Sequence, residues 1–562
     1  MSLRYLLNLL LAVSLTACSG GYYKQSADDE TYSAIAEKVP MVPGVTDQLA
    51  IENDDQVVDF SSFATNQDLF EFLDNEAESE LGASIISLDD ALSLAFQYSK
   101  EYQTQKERLY LEALSLTFDR YRYTPTFTLN SSGDYIWSAE DQFVTDMQDL
   151  TGMRLIDSLE TVEVSTSLGS RWLLKGGGVL ALNLTNNFTR FLTGDIRETG
   201  GGALFASFAQ PLLRDFGTEI ETEALMQAER DLLYQLRNFT RFRKTFAVRI
   251  ASDYYSVLFN RETTLNNFSG LNAVNLSLER EQAFQEEGLR TLLEVGRLEQ
   301  SALQQDLRWT SSITRYKRSL DNFKILIGLN ADDNIILDEN EMTLITETGM
   351  ATPDLNVESA VELALRTRLD LYTELDRVQD SARKIEVASN ALEPVLDFSF
   401  AVSVPDGPNG NLGELDFERA IYTAGLDFDL PIDNKLERND YRRALIDYDA
   451  ATRDYVLFAD EVTLDVVDAW RRMDEASKSY EINLTSVAIN ERRVEEAELR
   501  AELGLGDIQD TVDSQNDLTA ARTELVSSIV DHNIAKLEFW RDIGMLYIDD
   551  NGQVEEGINE PQ

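Results

Sequence analysis

Seventy-two consecutive residues, Ile432 to Leu503, contain neither proline nor glycine. Those two residues are the strongest interrupters of regular structure, so an uninterrupted run of this length reads as one helix. At about 1.5 Å per residue it would reach roughly 108 Å. Leu88–Thr124, Asp354–Glu393 and Asp507–Ile543 are also free of both, over 37, 40 and 37 residues, and Arg297–Ile327 is clean as well. Thr218–Glu287 is interrupted only at Gly270. Helices far beyond the usual 8–20 residues pack as coiled coils, not around a globular core. Val462, Val466, Val467 and Trp470 are spaced as one face of such a helix. The lengths also match: 40 and 37 make 77 residues, so one long helix can lie beside two shorter ones end to end.

The chain repeats itself. Leu88, Ala91, Leu94 and Ala95 fall on Val357, Ala360, Leu363 and Ala364 at an offset of 269. The same offset carries Arg108 onto Arg377, Ala113 onto Ala382 and Pro125 onto Pro394. At an offset of 216, Gly288 and Leu289 fall on Gly504 and Leu505, and Phe323, Ile327 and Gly328 on Phe539, Ile543 and Gly544. Pro211 corresponds to Pro431. The unit repeated is a helix, a β-segment and two further helices.

The β-segments alternate. Phe127, Leu129 and Trp137 share one register of Thr126–Trp137, and Ala401, Leu426 and Phe428 belong to the corresponding hairpin. Tyr135, Trp137 and Tyr422 at segment ends would suit membrane interfaces. An ordinary soluble hairpin fits these segments equally well, because barrel strands signal weakly one at a time. No segment after the N-terminus has the ~20 apolar residues of a spanning helix, so a membrane crossing requires a closed β-barrel. The first β-region is the longer: Pro125 to Pro211 is 86 residues, Pro394 to Pro431 is 37, a surplus of 49. Within it, Val162–Trp172 and Val179–Phe188 flank Gly176, Gly177 and Gly178, a hairpin signal.

At the N-terminus, Arg4 precedes the apolar run Leu6–Leu15 and the sequence Leu15, Thr16, Ala17, Cys18. Ten residues cover about half a bilayer, which fits a signal-peptide core rather than an anchor. Cys18 is the only cysteine, so no intrachain disulfide and no thiolate metal cluster can form. One histidine, His532, and no nucleophile motif leave no basis for an enzyme, a cofactor or a catalytic metal. The balance of 100 acidic against 49 Lys and Arg residues, −51 net, opposes a nucleic-acid partner. The acidity fits solvated faces, a salt-rich habitat or a cation-attracting lumen.

Together these features resemble the TolC-like outer-membrane efflux protein family. The resemblance rests on the duplicated Leu/Ala-rich opening helix, its closing Pro125 and Pro394, the Gln210–Pro211–Leu212–Leu213 strand exit and a lipobox ending at Cys18. It covers about Ser87–Leu546 and no single motif is specific. It implies a mostly helical fold with membrane β-structure. Three copies would form a β-barrel of four strands each, continued by a long periplasmic α-barrel. The implied role is the outer-membrane channel of a tripartite efflux or type I secretion system. Its partners would be a periplasmic adaptor, an inner-membrane pump and outer-membrane lipid, the last through lipidated Cys18. Ser19 follows, where sorting rules place Asp for inner-membrane retention. The competing reading is a pore-less, periplasm-spanning coiled-coil lipoprotein.

On this reading residues 1–17 are a signal peptide, 18–86 an acidic linker, and 87–330 the first repeat, with β-region 126–212 and helix pair 214–328. A connector, 331–355, precedes the second repeat, 356–546, with hairpin 395–431 and helix pair 432–546; 547–562 is an acidic tail. The resemblance makes Gly288, Leu289, Arg290 and Thr291 one adaptor-docking tip and Gly504, Leu505 and Gly506 the other. Gly506 departs from the basic or polar residue usual there. Asp507, Asp510 and Asp513 match the family's acidic constriction, which threefold symmetry would turn into carboxylate rings. Asp at a helix start is also stabilised by the helix dipole, with no further role. The surplus hairpin either extends or decorates the barrel outside the cell, as family precedent favours, or enters the wall, giving six strands per subunit and eighteen in a trimer.

Overall fold

The computed structural model describes residues 20–45, 50–51, 58–145, 152–193, 197–348, 353, 355–407, 415–503, 508–549 and 552–556. Cys18, Gly504, Leu505, Gly506 and Asp507 lie outside them. The chain divides into two units: 1–113, 232–375 and 454–562 in one, 114–231 and 376–453 in the other.

The first unit is helical. It holds α1 (Gly20–Lys38), β1 (Ser84–Ile86), α2 (Leu88–Tyr98) and most of α3 (Lys100–Tyr121). The bulk of α4 (Glu223–Glu286) follows, then α5 (Leu292–Leu326), β6 (Ile335–Leu337), α6 (Asn340–Thr348) and α7 (Val357–Thr367). It also takes the start of α8 (Leu369–Asn390), most of α9 (Lys435–Glu502), all of α10 (Ile508–Asp542), and strands β9 (Leu546–Ile548) and β10 (Val554–Glu556). β1 and β6 pair in parallel and β9 and β10 antiparallel.

The long helices follow from the breaker-free runs: α4 and α9 have 64 and 68 residues, roughly 96 and 102 Å. Gly270 does not interrupt α4. Its bare Cα sits where a Cβ would come 2.8 Å from the Thr519 hydroxyl on α10, so here glycine serves close packing.

The shorter runs are not single helices. The chain turns extended at Ser99, between α2 and α3, and at Arg368, between α7 and α8. The breaks are equivalent at the 269 offset. Each lies beside a left-handed glycine closing another helix: a Cβ on Gly328 would meet the Tyr98 carbonyl at 2.3 Å, and one on Gly544 the Thr367 side chain at 2.8 Å. The second break carries a charge cluster centred on buried Arg368 and Asp370, which pair at 2.7 Å; half-exposed Asp465 bonds Arg368 at 3.0 Å and half-exposed Arg241 bonds Asp370. Burial alone would raise the Asp370 carboxyl; the Arg368 hydrogen bonds and the charges of Arg241 and Arg368 hold it below its ordinary value.

The segment read as an acidic linker is packed in its described part. Tyr110 donates to Asp28 at 2.5 Å, the Trp309 indole to the Phe72 carbonyl at 2.7 Å, and Lys317 to Glu80 at 2.9 Å. Phe72, Leu73, Ala34 and Ile35 are buried.

The second unit is one six-stranded sheet with helix ends around it. Its strands are β2 (Thr126–Thr145), β3 (Gly152–Leu173), β4 (Val179–Phe191), β5 (Glu198–Pro211), β7 (Val395–Pro405) and β8 (Ile421–Asp429). They run in the order β2-β3-β4-β5-β7-β8, every pair antiparallel. The surplus hairpin, β3–β4, is therefore inside the sheet between β2 and β5. The decorating arrangement favoured by family precedent is not what the chain adopts. The physical reason is pairing: β3 bonds to β2 over 20 residue pairs and β4 to β5 over 12, so both strands have a neighbour on each side. Beside the sheet, Arg120 pairs with Glu229 at 2.7 Å, Arg230 with Asp376 and Asp380 at 2.8 Å, and Arg383 with Glu223 at 2.9 Å.

Candidate functional site

The sheet separates chemistry by face. Because side chains alternate along a strand, directly paired residues share a face. Across from Leu129 stand Leu168, Leu184, Leu204 and Val404 in turn. One row away, Phe127 leads through Ser170, Leu182 and Ala206 to Val402 and Tyr422. Below these, Trp172, Leu180, Phe208, Phe400 and Ala424 form another row. The opposite face reads Thr128, Gly169, Asn183, Phe205, Ser403 and Ile421 in one row and Thr126, Arg171, Ala181, Ser207, Ala401 and Thr423 in the next. Over these rows one face is mainly apolar on all six strands and the other is mixed and more polar; one row beyond Leu129 the first face turns to Ser131, Thr166 and Asn186. Most of this face is uncovered: Phe127, Leu168, Leu182, Tyr422 and Phe428 are exposed, while Val404 is buried. A mainly apolar, mostly uncovered face of this size marks a membrane or interaction surface.

The first tip expected from the sequence is the turn between α4 and α5. Gly288 adopts φ 75°, the left-handed conformation that closes a helix. Its N–H donates to the Gln285 carbonyl and that of Leu289 to Phe284, both at 2.9 Å. Thr291 caps α5 in a reciprocal box with Glu294. Hydrogen bonds from the Thr291 backbone and hydroxyl hold the Glu294 carboxyl below its ordinary value. Arg290 does not reach outward: it is turned onto buried Glu281 at 2.7 Å. Three leucines are exposed here, Leu289 at 70%, Leu292 at 78% and Leu293 at 68%, beside exposed Glu286, Glu287 and Thr291. Leu289 is among the residues named from the sequence; Leu292 and Leu293 are not, although two adjacent leucines follow the capping threonine.

At the second tip, α10 begins at Ile508. Ile508 and Val512 are buried against Val274, Leu298 and Ala302 of the first repeat's tip helices. Asp510 and Asp513 lie on the opposite, exposed side. Gln509 donates to Asp513 at 2.9 Å, and Asp517, further along the exposed side, pairs with Arg493 at 2.8 Å. Among the described residues, no three His, Cys, Asp or Glu side chains gather as a metal site. No described helix is long and apolar enough to cross a membrane.

No protein-family model and no curated protein sequence matches the chain. Solved structures do. It resembles the outer membrane protein VceC of Vibrio cholerae with a TM-score of 0.57 and 14% identity, over 81% of this chain and 96% of that one. The CmeC outer membrane channel of Campylobacter jejuni gives a TM-score of 0.57 and 13% identity over 88% and 93%. The open state of the MtrE outer membrane channel of Neisseria gonorrhoeae gives 0.54 and 13% over 82% and 89%. The chain has the TolC-like fold of outer-membrane efflux channels, long helices joined to an antiparallel sheet.

Proposed function

We propose that the chain is the outer-membrane channel of a tripartite efflux or type I secretion system. The observation that carries this reading is the sheet with one mainly apolar, mostly uncovered face and one more polar face. In a bilayer the apolar face meets lipid and the polar face meets the aqueous lumen. Three copies form the channel, a periplasmic adaptor seats on the exposed leucines of the Gly288 tip, and an inner-membrane pump feeds it. Cys18 carries the lipid. Asp507, Asp510 and Asp513 ring the lumen near the second tip, where carboxylates favour cations and oppose anions. A pore-less coiled-coil lipoprotein has no use for such a sheet.

Planar-bilayer recording tests the reading. Purified trimer should conduct, and multivalent cations added at the tip side should block it. Folded trimer that never conducts would sink the channel. Changing Asp510 and Asp513 to Asn should weaken the block, and unchanged block would reject their role. Labelling with a radioactive fatty acid should disappear in Cys18→Ser; label that persists would refute the anchor.

A further inference from the structure

Each copy carries two open sheet edges, and they are made alike. Every described side chain of β2 from Phe127 to Ala139 is exposed, as is every residue of β8 except Gly425. Neither strand contains the Lys or Pro with which exposed edges are normally protected. In hydrocarbon an unpaired edge is not tolerated, since each unsatisfied backbone group costs several kcal/mol. Something must pair with both.

The register shows what fits. Opposite Thr126, at the start of β2, the pairing leads through Arg171, Ala181, Ser207 and Ala401 to Thr423. The strand ends on that side lie progressively further along: Leu173 is two residues past Arg171, Pro211 four past Ser207, and Asp429 six past Thr423. Six residues at about 3.3 Å, accumulated over five gaps of about 4.8 Å, give a slope of roughly 40°. Strands in closed barrels tilt by about 35–45°. The sheet is also an even-numbered meander, so β2 and β8 run in opposite directions. A neighbouring copy's β2 laid beside β8 is antiparallel, continues the apolar face and continues the ramp.

We infer that β8 of each copy pairs with β2 of the next, so that each copy supplies six strands and the three copies close an eighteen-stranded barrel. The copy number rests on the channel reading above; the six strands and their edges do not. A strand tilted by 40° occupies about 6.3 Å of circumference, so eighteen strands give a wall about 36 Å across between backbone centres, against about 24 Å for twelve. Barrels of 16–18 strands hold an open aqueous lumen, so this exit is 1.5-fold wider than four strands per copy would make it.

Cysteine pairs in the full-length protein in native membranes test this. Thr128→Cys is combined in turn with a cysteine at each position from 424 to 428. Oxidation should give a covalent trimer for at least one register. A ladder that stops at dimer would replace three copies by two and overturn the count, and no product at any register would overturn the edge pairing. A second arm needs no oligomer contact. Leu184→Cys on β4 should react with a lipid-soluble maleimide and Thr185→Cys with a water-soluble one, as should Phe400→Cys and Ala401→Cys. Leu184→Cys open to the water-soluble reagent from outside the cell would put the hairpin outside the wall. Conductance recorded on the same variants separates the outcomes: cross-links without conductance leave the barrel and remove the channel, whereas conductance without cross-links does the reverse.

Discussion

The two repeats agree in their helices and differ in their β-regions. Both open on a capped helix, with Ser87 accepting from the Asp90 N–H and Asn356 from the Ser359 N–H. Both break that helix at the same place, and both return through a long helix, α4 or α9. Between Pro125 and Pro211, however, the first repeat makes four strands, and between Pro394 and Pro431 the second makes two. Helix length is fixed by what the helices must span and lie against, so it resists change. A hairpin can be added to a sheet at little cost if its two strands keep the alternation and an even count, because all later strands then keep their direction and face.

The largest effect expected from this comparison is on the apolar face. Leu182→Arg in the surplus hairpin should destabilise the membrane-inserted form by about 2–4 kcal/mol, as should Phe400→Arg in the second repeat. Asn183→Arg and Ala401→Arg on the other face should cost far less. Urea unfolding from lipid vesicles measures all four. A Leu182→Arg protein as stable as the parent beside a damaged Phe400→Arg protein would break the equivalence of the two β-regions.

The tips come next. Glu281→Ala leaves the turned-in Arg290 without its partner, an expected loss of about 1–3 kcal/mol that hydrogen exchange over residues 284–294 would register. If Arg290 serves mainly by reaching an adaptor, exchange there would stay as it was. Smaller again are the opening caps. Ser87→Ala and Asn356→Ala should each cost about 1 kcal/mol in thermal unfolding. Ser87 should cost the more, because its box with Asp90 is reciprocal. Equal costs would mean that the second half of that box adds nothing.

The smallest effect is a pH dependence confined to one repeat. His532 is buried, with neither ring nitrogen bonded among the described residues, and at the 216 offset its counterpart is buried Tyr316. Burial pushes the imidazole below its ordinary value, and the charge of Lys536 adds to this. The unfolded chain therefore binds the proton more readily. The contribution of His532 is fully present above about pH 6.5 and is lost as pH falls from there toward the lowered value. His532→Tyr, which installs the first repeat's residue, should flatten stability between pH 6.5 and 5. An unchanged slope would assign it to carboxylates.

Much of this was legible in the sequence. Missing prolines and glycines located the long helices, since nothing else punctuates so strongly. The repeat and the family resemblance placed the tip turn at Gly288; the left-handed glycine and the cap at Thr291 became visible only in the structure. The breaks at Ser99 and Arg368 were not visible. No proline or glycine stands at either; what marks them is the close approach of Gly328 and Gly544 to the preceding residue, a contact between distant segments. The inward turn of Arg290 was hidden for a similar reason, since its partner Glu281 faces it only once the turn is formed. The strand count was open because the hairpin's alternation is the same whether it stands in a wall or beside one. Pairing with β2 and β5 separates those arrangements, and pairing is tertiary.

The most direct measurement is an experimental density map of the assembly in a lipid bilayer, with strands counted around the wall at membrane depth. The account predicts eighteen, with β3 and β4 of each copy between β2 and β5. Twelve strands, with the β3–β4 hairpin lying outside the ring, would contradict it.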